Sequence, residues 1–167
     1  MCIRDSTCGT GGSNLKIFNC STISAFVVAS CGSKVVKHGN KSITSKSGSA
    51  DFLARAGVNI NNDRSNAISA FNQFGITFLF APNYHQKLKH VAAQRKALGV
   101  RTVFNVVGPL VNPANPNYQI IGTSDSKINE AVINVIKNKG LSRAMVVTSN
   151  DGICLLYTSD AADDDAC

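Results

Sequence analysis

Residues Ile76–Phe80 (ITFLF) form an uninterrupted, largely apolar run that is bounded by Gly75 and Pro82. The run lacks the alternation of polar and apolar residues that a strand with one exposed face would show, so it is typical of a strand covered on both faces. Strands of that kind occur mainly in parallel sheets that have helices packed on both sides. This stretch therefore favours an α/β domain.

The segments on either side continue the pattern, because strand-like runs alternate with helical ones. Further strands are predicted at 34–37 (KVVK), 118–122 (YQIIG) and 144–148 (AMVVT). Helices are predicted at 21–31, from about 48 to 56, at 85–98 and at 126–139, and a glycine follows each of them. The turn dipeptides Gly108-Pro109 and Asn112-Pro113 predict an irregular loop. The sequence thus predicts a mostly parallel sheet flanked by helices.

Length and charge limit the possibilities further. A chain of 167 residues fits one domain, and its formal net charge of +7 suits phosphate-bearing partners, although an ordinary basic surface gives the same balance. The six cysteines include no Cys-x-x-Cys pair, so we expect reduced thiols. No apolar stretch is long enough to cross a bilayer and no signal-peptide pattern is present, so we expect a cytoplasmic protein without membrane contact.

The two ends of the chain differ from the rest in composition. Residues 1–6 (MCIRDS) and the acidic end of the chain lack the periodicity of the remainder and resemble translated adaptor sequence. We therefore expect residues 1–6 to be a non-native leader, residues 7–153 to be a partial α/β domain and residues 154–167 to be a non-native tail.

Two polar motifs point to a polyanionic ligand. The first is the glycine cluster 9–12 (GTGG), which is followed by Asn19, Ser21 and Thr22 at the start of a predicted helix. Glycines let a backbone approach an anion closely, and a helix N-terminus presents N–H groups to it. The cluster matches neither a Walker loop nor Gly-x-Gly-x-x-Gly, and a tight turn beside a capped helix is the simpler reading of the same residues.

The second motif is 37–41 (KHGNK), which we place directly after a predicted strand, where α/β sheets bind their ligands. It combines cationic, imidazole and amide side chains with a glycine. Taken alone, His38 reads more simply as a hydrogen-bonded structural histidine. Arg95 lies among other basic residues, and spacing alone favours a solvated basic face there.

With these motifs, the stretches 9–26, 34–51 and 78–114 resemble the anthranilate phosphoribosyltransferases of tryptophan biosynthesis, and the resemblance extends over 8–152. It implies a nucleoside phosphorylase/phosphoribosyltransferase-type α/β domain, with the family's small helical domain missing from this sequence. It also implies a homodimeric parent enzyme that uses magnesium and that has phosphoribosyl pyrophosphate and anthranilate as substrates.

The resemblance assigns roles to individual positions. The residues implied to bind phosphoribosyl pyrophosphate are Gly9, Gly12, Ser13, Asn19, Ser21, Thr22, Lys37, His38, Gly39, Asn40, Lys41, Ser42, Ser45 and Ser49. Those implied to bind anthranilate are Gly9, Asn40, Arg95 and Pro109. Ser21 is the implied magnesium ligand, and His38 is the candidate catalytic residue, which would orient the amine or the carboxylate of the acceptor.

Some positions depart from the family. The family commonly has Asp, Thr and Arg where this chain has Ser13, Ile17 and Lys41. In the family an Asp-Glu pair that binds magnesium follows Asp-Gly-Leu, whereas here Cys154 and Leu155 follow 151–153 (DGI). A thiol and a leucine cannot replace two carboxylates, so we expect an incomplete magnesium site and little or no activity from the chain as written.

Two other functions remain open at this point. One is a pyrimidine nucleoside phosphorylase of the same fold. The other is a nucleic-acid-binding paralogue without transferase activity, suggested by the basic body of the chain. The small-acid site implied by Asn40 and Arg95 argues against nucleic acid as the partner.

Overall fold

A computed structural model describes residues 5–10, 19–42, 47–91, 94, 97–98, 102–123, 125–148 and 158–160. Its centre is a six-stranded sheet in the order β3-β2-β1-β4-β5-β6. The strands are β1 (Asp5–Gly9), β2 (Val35–Gly39), β3 (Ile76–Phe80), β4 (Tyr118–Thr123), β5 (Arg143–Thr148) and β6 (Thr158–Asp160). The first five strands are parallel, and β6 runs antiparallel to β5.

The α-helices connect and cover these strands. They are α1 (Cys20–Ser30), α2 (Ser49–Arg55), α3 (Arg64–Phe74), α4 (Ala81–Tyr84), α5 (Val103–Leu110) and α6 (Asn129–Lys139). Two 3-10 helices precede α5 and α6, at Gln86–Val91 and Ser126–Ile128 respectively. Among the described residues, none of the helices reaches the length and apolar character that crossing a membrane requires.

Helices cover both faces of the sheet. The Thr7 side chain of β1 hydrogen-bonds to α1, whereas its neighbour Cys8 packs against the cluster beneath α6. Successive residues of a strand point to opposite faces, so α1 and α6 lie on opposite sides. The α6 cluster consists of Leu110, Ile121, Val132, Ile136, Ala144 and Val146. Each side chain in it is less than a tenth exposed, so this half of the sheet has a continuous apolar core.

The strand order creates a reversal at β1. From β1 the chain proceeds to β2 and β3 on one side, and the later strands β4 and β5 are added on the other. In open α/β sheets, ligands bind outside the carboxyl ends of the strands near such a reversal. The topology therefore indicates the carboxyl ends of β1, β2 and β4 as the place to look for a site.

The predicted fold class is confirmed, and most predicted elements are present. β3 has the predicted bounds, and β4 and β5 each differ from prediction by one residue. β2 extends beyond the predicted strand to Gly39, so His38 and Gly39 lie within the strand rather than after it. The predicted helix stops at Gly57 and Gly140 have positive φ angles of 83° and 65°, which glycine adopts without strain.

The prediction of an irregular loop at Gly108-Pro109 is wrong, because both residues belong to α5. Pro109 lies in the last turn, where a missing N–H costs a single helical hydrogen bond. Leu110 belongs to the α6 cluster and Val106 packs against it, and this apolar face outweighs the loss. Asn112 does begin a turn, since its backbone oxygen accepts from Asn115 N at 3.1 Å.

The predicted helix at 85–98 differs in type, because its first part, Gln86–Val91, is a 3-10 helix. Leu88 and Val91 are three residues apart, and that spacing shares one face in either kind of helix, so the apolar pattern could not distinguish them. The helices α3 and α4 and the strands β1 and β6 were not predicted.

The structure places Asp5 and Ser6, from the predicted leader, in the central strand β1. Ser6 is 2% exposed, and its Oγ accepts from Asn112 Nδ2 at 3.3 Å. The origin of residues 1–6 and 154–167 stays a prediction about the coding sequence.

Candidate functional site

Lys37 is the most unusual side chain at the carboxyl end of the sheet. It is 3% exposed, and its Nζ donates to Thr7 O at 3.0 Å and to Ser21 Oγ at 3.2 Å. Burial lowers the pKa of Lys37 to about 8, and the neighbouring thiols of Cys8 and Cys20 oppose that shift. Among the described residues no carboxylate pairs with this ammonium, so the ammonium would bind an anion through a strong electrostatic attraction.

The first turn of α1 faces the same place. Asn19 occupies the N-cap position, but its side chain does not cap the helix and its Nδ2 donates instead to Gly48 O at 3.4 Å. Thr7 Oγ1 donates to Ser21 O at 2.8 Å and fixes the helix start against β1. Thr22 is fully buried, and its Oγ1 has no partner within the described part of the chain. The positive end of the α1 dipole therefore lies beside Lys37.

The end of β2 lies against the start of α2. Asn40 O accepts from Ala50 N at 3.3 Å, which brings the end of β2 against the start of α2. A Cβ atom at Gly39 would lie 2.2 Å from Ser49 Oγ, so only glycine leaves room for the Ser49 hydroxyl in its present position. We call Asn19, Ser21, Lys37, Asn40 and Ser49 the Lys37 cradle.

The reversal of strand order is marked by two glycines. Gly9 at the end of β1 pairs with Gly122 of β4, and Thr10 N donates to Gly122 O at 2.8 Å. Gly9 is exposed and has no side chain, so its backbone is accessible to a ligand, whereas Gly122 is buried. The Thr10 hydroxyl is buried without a partner in the described ranges. Sequence reasoning missed Gly122, which the carboxyl end of an apolar strand could have indicated.

His38 lies on the other face of β2 from Lys37, because the two are consecutive strand residues. Burial, His85 and Lys37 lower the pKa of His38 to about 4, and a hydrogen bond to the Gly108 backbone opposes that shift. The rings of His38 and His85 pack edge to face, with centroids 5.1 Å apart. The Nε2 atoms of both are buried without a partner among the described residues. His38 is therefore neutral near pH 7, and one of its ring nitrogens has no partner in the described part of the chain.

His85, but not His38, lines a cavity of about 580 Å³. Aromatic and aliphatic side chains make up part of the wall, together with the His85 imidazole, two amides and one lysine: Tyr84, Leu88, Phe104, Val107, Val111, Asn83, Gln86 and Lys87. Such a cavity suits a small aromatic molecule. Sequence reasoning missed His85, and its position soon after the strand β3 was the available signal.

The structure thus brings several predicted site residues together and leaves others untested. The Lys37 cradle gathers five of them at the junction of β1, α1 and β2, and Pro109 lies beside Gly108, which contacts His38. Lys41 is exposed, and its backbone N–H donates to Asn40 Oδ1 at 2.7 Å. The predicted residues that lie outside the described ranges are Gly12, Ser13, Ser45, Arg95, Cys154 and Leu155.

The described residues offer little for a metal ion. They contain no group of three or more His, Cys, Asp or Glu side chains that could enclose one. The predicted ligand Ser21 has its hydroxyl oxygen 3.2 Å from the Lys37 ammonium. Magnesium commonly uses one or two protein oxygens together with substrate phosphates and water, and a lone hydroxyl suits only that mode.

The fold and the site together define a parallel α/β domain with a cationic cradle at its strand ends. Residues 4–162 match the model of the glycosyl transferase family, a/b domain, and the chain belongs to that family. An anthranilate phosphoribosyltransferase of Syntrophomonas wolfei is 50% identical over 147 residues, which are 88% of this chain and 43% of the relative. The chain spans less than half the length of the curated relatives it matches.

Solved structures agree with this assignment. Anthranilate phosphoribosyltransferase from Thermus thermophilus superimposes with a TM-score of 0.87 at 34% identity, over 95% of this chain and 49% of that one. The Saccharomyces cerevisiae enzyme in complex with PRPP and Mg gives a TM-score of 0.85 at 31% identity, over 92% and 44%. The resemblance to anthranilate phosphoribosyltransferases is confirmed in sequence and in fold.

Proposed function

We propose that this chain carries the phosphoribosyl-binding part of an anthranilate phosphoribosyltransferase, which is a pentosyltransferase. The reaction moves the phosphoribosyl group from phosphoribosyl pyrophosphate to the amino group of anthranilate and gives N-(5-phosphoribosyl)anthranilate and pyrophosphate. The observation that carries the proposal is the buried Lys37 ammonium at the start of α1, which lacks a carboxylate partner in the described part of the chain. The relatives' names supply substrates that such a charge would serve.

The chemistry explains why a cationic cradle is needed. The amine nitrogen forms a bond to the anomeric carbon, while the bond from that carbon to the pyrophosphate oxygen breaks and its electron pair leaves with pyrophosphate. The nitrogen then loses one proton. Negative charge grows on the leaving group, so Lys37 and the N-terminal dipole of α1 stabilise the transition state more than the ground state.

Magnesium fits this picture as an ion held chiefly by the phosphates. Ser21 is the described residue that would contact it, through a hydroxyl oxygen that now accepts from Lys37. When bound, the ion would add positive charge at the leaving pyrophosphate. The second, carboxylate part of the metal site is expected from the resemblance to be incomplete, so Lys37 would supply much of the positive charge in this chain.

His38 fits the role of an orienting acceptor. Its hydrogen bond to the Gly108 backbone raises its pKa, as donation to a carbonyl oxygen does, which leaves Nε2 with a free lone pair. A neutral imidazole of this kind can accept from the anthranilate amine and hold the nitrogen toward the anomeric carbon. It cannot donate from Nε2 to the carboxylate, so the amine is the favoured partner.

Calorimetric titration of the 167-residue chain with phosphoribosyl pyrophosphate in magnesium chloride tests the proposal. We expect saturable binding that the variant Lys37→Met loses. Parallel assays with uridine plus phosphate and with duplex DNA at two salt concentrations separate the alternatives. Cleavage of uridine, or salt-dependent DNA binding, without affinity for phosphoribosyl pyrophosphate would overturn the assignment.

The sequence resemblance also supports a homodimeric parent enzyme, and a cytoplasmic location fits a biosynthetic role. Light scattering on the purified chain measures its oligomeric state directly. A monomer at all accessible concentrations would count against the dimer for this chain.

A further inference from the structure

We propose that Asp51 is a positioning residue for phosphoribosyl binding: its carboxylate joins Ser42 to Gly48 and thereby holds Gly48 against Asn19 at the start of α1. The inference rests on the proposed function, because the cradle that Asp51 supports is where the phosphoribosyl group would bind. Asp51 lies in the first turn of α2 and would not itself touch the substrate.

The contacts of Asp51 cross the segment. Its Oδ2 atom accepts from Ser42 N at 2.9 Å and from Gly48 N at 2.8 Å. One charged oxygen thus receives two backbone N–H groups from opposite ends of the segment 42–48. Hydrogen bonds to an ionised acceptor are stronger than neutral ones, so this pair fixes the distance between the two ends.

The backbone at the closure is packed too tightly for any side chain. A Cβ atom at Gly48 would lie 2.6 Å from Ser42 N and 2.7 Å from Asn40 O. The bond from Ala50 N to Asn40 O lies at the same place. We call Asn40, Ser42 and Gly48 the neck. This close packing brings Ser42 and Gly48 together. The Asp51 carboxylate accepts hydrogen bonds from the backbone N–H groups of both.

The neck is connected to the Lys37 cradle through Gly48. The Gly48 carbonyl accepts from Asn19 Nδ2 at 3.4 Å, and Asn19 forgoes capping α1 to make that contact. Ser21, two residues further on, bonds to Lys37. Release of Gly48 by loss of the Asp51 carboxylate would therefore move a contact of Asn19 and also the position of Asn40. Both residues belong to the cradle.

The charge of Asp51 persists over the physiological pH range. Burial by itself would raise the pKa of Asp51, but the hydrogen bonds from Ser42 and Gly48 and the charges of Lys41 and Arg55 lower it below its ordinary value. The neck should thus be independent of pH near neutrality.

A simpler role is possible for any acid in the first turn of a helix, namely stabilising that helix. Asp63 provides the matched control, because it is the N-cap of α3 and its carboxylate accepts from Asn66 N at 2.7 Å. Asp63→Ala removes a helix-start carboxylate and its hydrogen bond to a backbone N–H, but it leaves the neck and the cradle untouched.

The experiment compares Asp51→Ala, Asp51→Asn and Asp63→Ala with the unsubstituted chain. Amide hydrogen exchange at Ser42 and Gly48 reports on the neck, and calorimetric titration with phosphoribosyl pyrophosphate in magnesium chloride reports on the cradle. We expect Asp51→Ala to speed exchange at both amides and to weaken binding about tenfold. Asp51→Asn keeps an accepting oxygen without the charge, so an intermediate loss of about threefold is expected. Asp63→Ala should change neither.

The outcomes separate the inference from the function on which it rests. Faster exchange with unchanged affinity, or an equal loss of affinity in Asp63→Ala, would refute the positioning role alone. Unchanged exchange at Ser42 and Gly48 in the Asp51 variants would refute the neck itself. Failure of the unsubstituted chain to bind phosphoribosyl pyrophosphate would refute the proposed function, and the exchange data would still show whether Asp51 closes the neck. If Asp51→Ala does not fold, Asp51→Asn decides the same questions.

Discussion

Strands β2 and β5 are both interior strands of one sheet, yet their buried residues differ in kind. In β2 the consecutive buried residues are Val35, Val36, Lys37 and His38, whereas β5 buries Ala144, Val146 and Val147 before the polar Thr148. Ala144 and Val146 of β5 belong to the α6 cluster, and their burial stabilises the fold. Burial of Lys37 and His38 disfavours their charged forms, because it removes water from them, and this lowers the pKa of each. The difference teaches that β5 is built for stability and β2 for binding.

The largest expected effect concerns His38 and acid. Its pKa is about 4 in the fold against an ordinary value of 6.5, so the unfolded chain binds the proton first. The free energy of unfolding therefore contains the full contribution of the neutral imidazole above pH 6.5. As the pH falls to about 4, that contribution is lost, and the free energy of unfolding decreases by about 3 kcal/mol. Urea unfolding at both ends of this range measures it. His38→Gln should remove this part of the acid sensitivity, and the exposed His90→Gln should retain it. Equal acid sensitivity in the two variants would contradict the buried neutral imidazole.

The next effect concerns Lys37 and separates binding from stability. Lys37→Met keeps the length and apolar stem of the side chain but removes the ammonium, so we expect about a hundredfold loss of affinity for phosphoribosyl pyrophosphate. Stability should change by less than about 1 kcal/mol, because relief from burying a charge offsets the lost bonds to Thr7 and Ser21. Calorimetric titration and urea unfolding give the two values. A large fall in stability with affinity retained would show that Lys37 stabilises the fold and does not serve binding.

Val146→Ala sharpens the comparison from the β5 side. Val146 is fully buried in the α6 cluster, and the cavity left by two methyl groups should lower the free energy of unfolding by about 2.5 kcal/mol. Affinity for phosphoribosyl pyrophosphate, measured where the variant is folded, should stay within about twofold. A greater loss of affinity would show that the two halves of the sheet are coupled.

The smallest effect is at the end of β2. Gly39→Ala places a Cβ atom 2.2 Å from Ser49 Oγ and 3.1 Å from the buried Phe78 ring, so the serine must rotate away and the ring must shift slightly. The cradle then loses one hydroxyl group, which should weaken phosphoribosyl pyrophosphate binding about fivefold. The single variant Ser49→Ala should show the same loss, and combining it with Gly39→Ala should add nothing further. Additive losses would mean that Gly39 acts other than through Ser49.

Strands β2 to β5 and the Lys37 cradle could be predicted because both depend on local pattern. Apolar runs identified β3, β4 and β5, and the short KHGNK motif placed Lys37 near the strand end. The end of β2 was misplaced, because Lys37 and His38 are buried in mid-strand, where polar residues usually mark the end of a strand. β1 was missed, since it begins in the predicted leader. The helical Pro109 was missed because packing of its neighbours Val106 and Leu110 outweighs the local preference of proline.

Other features depend on contacts that no local pattern encodes. His85 meets His38 from a different strand connection, and the pairing of Gly9 with Gly122 requires the strand order to be known. The neck is intermediate in this respect. Gly48 and Asp51 are close in sequence, but the hydrogen bond from Ser42 N to the Asp51 carboxylate appears only in three dimensions.

The position of β1 has a consequence for how the molecule assembles. Asp5 pairs with Tyr118, so the ladder that joins the two halves of the sheet closes a loop of roughly a hundred residues. Contacts so distant along the chain form slowly, because the chain loses conformational entropy on closing the loop before the contacts stabilise it. We expect each half to collapse first and the central ladder to close last. Thr7 contacts Ser21 and Lys37, which lie within about thirty residues of it, so the cradle belongs to the first half and competence to bind should appear before the ladder closes.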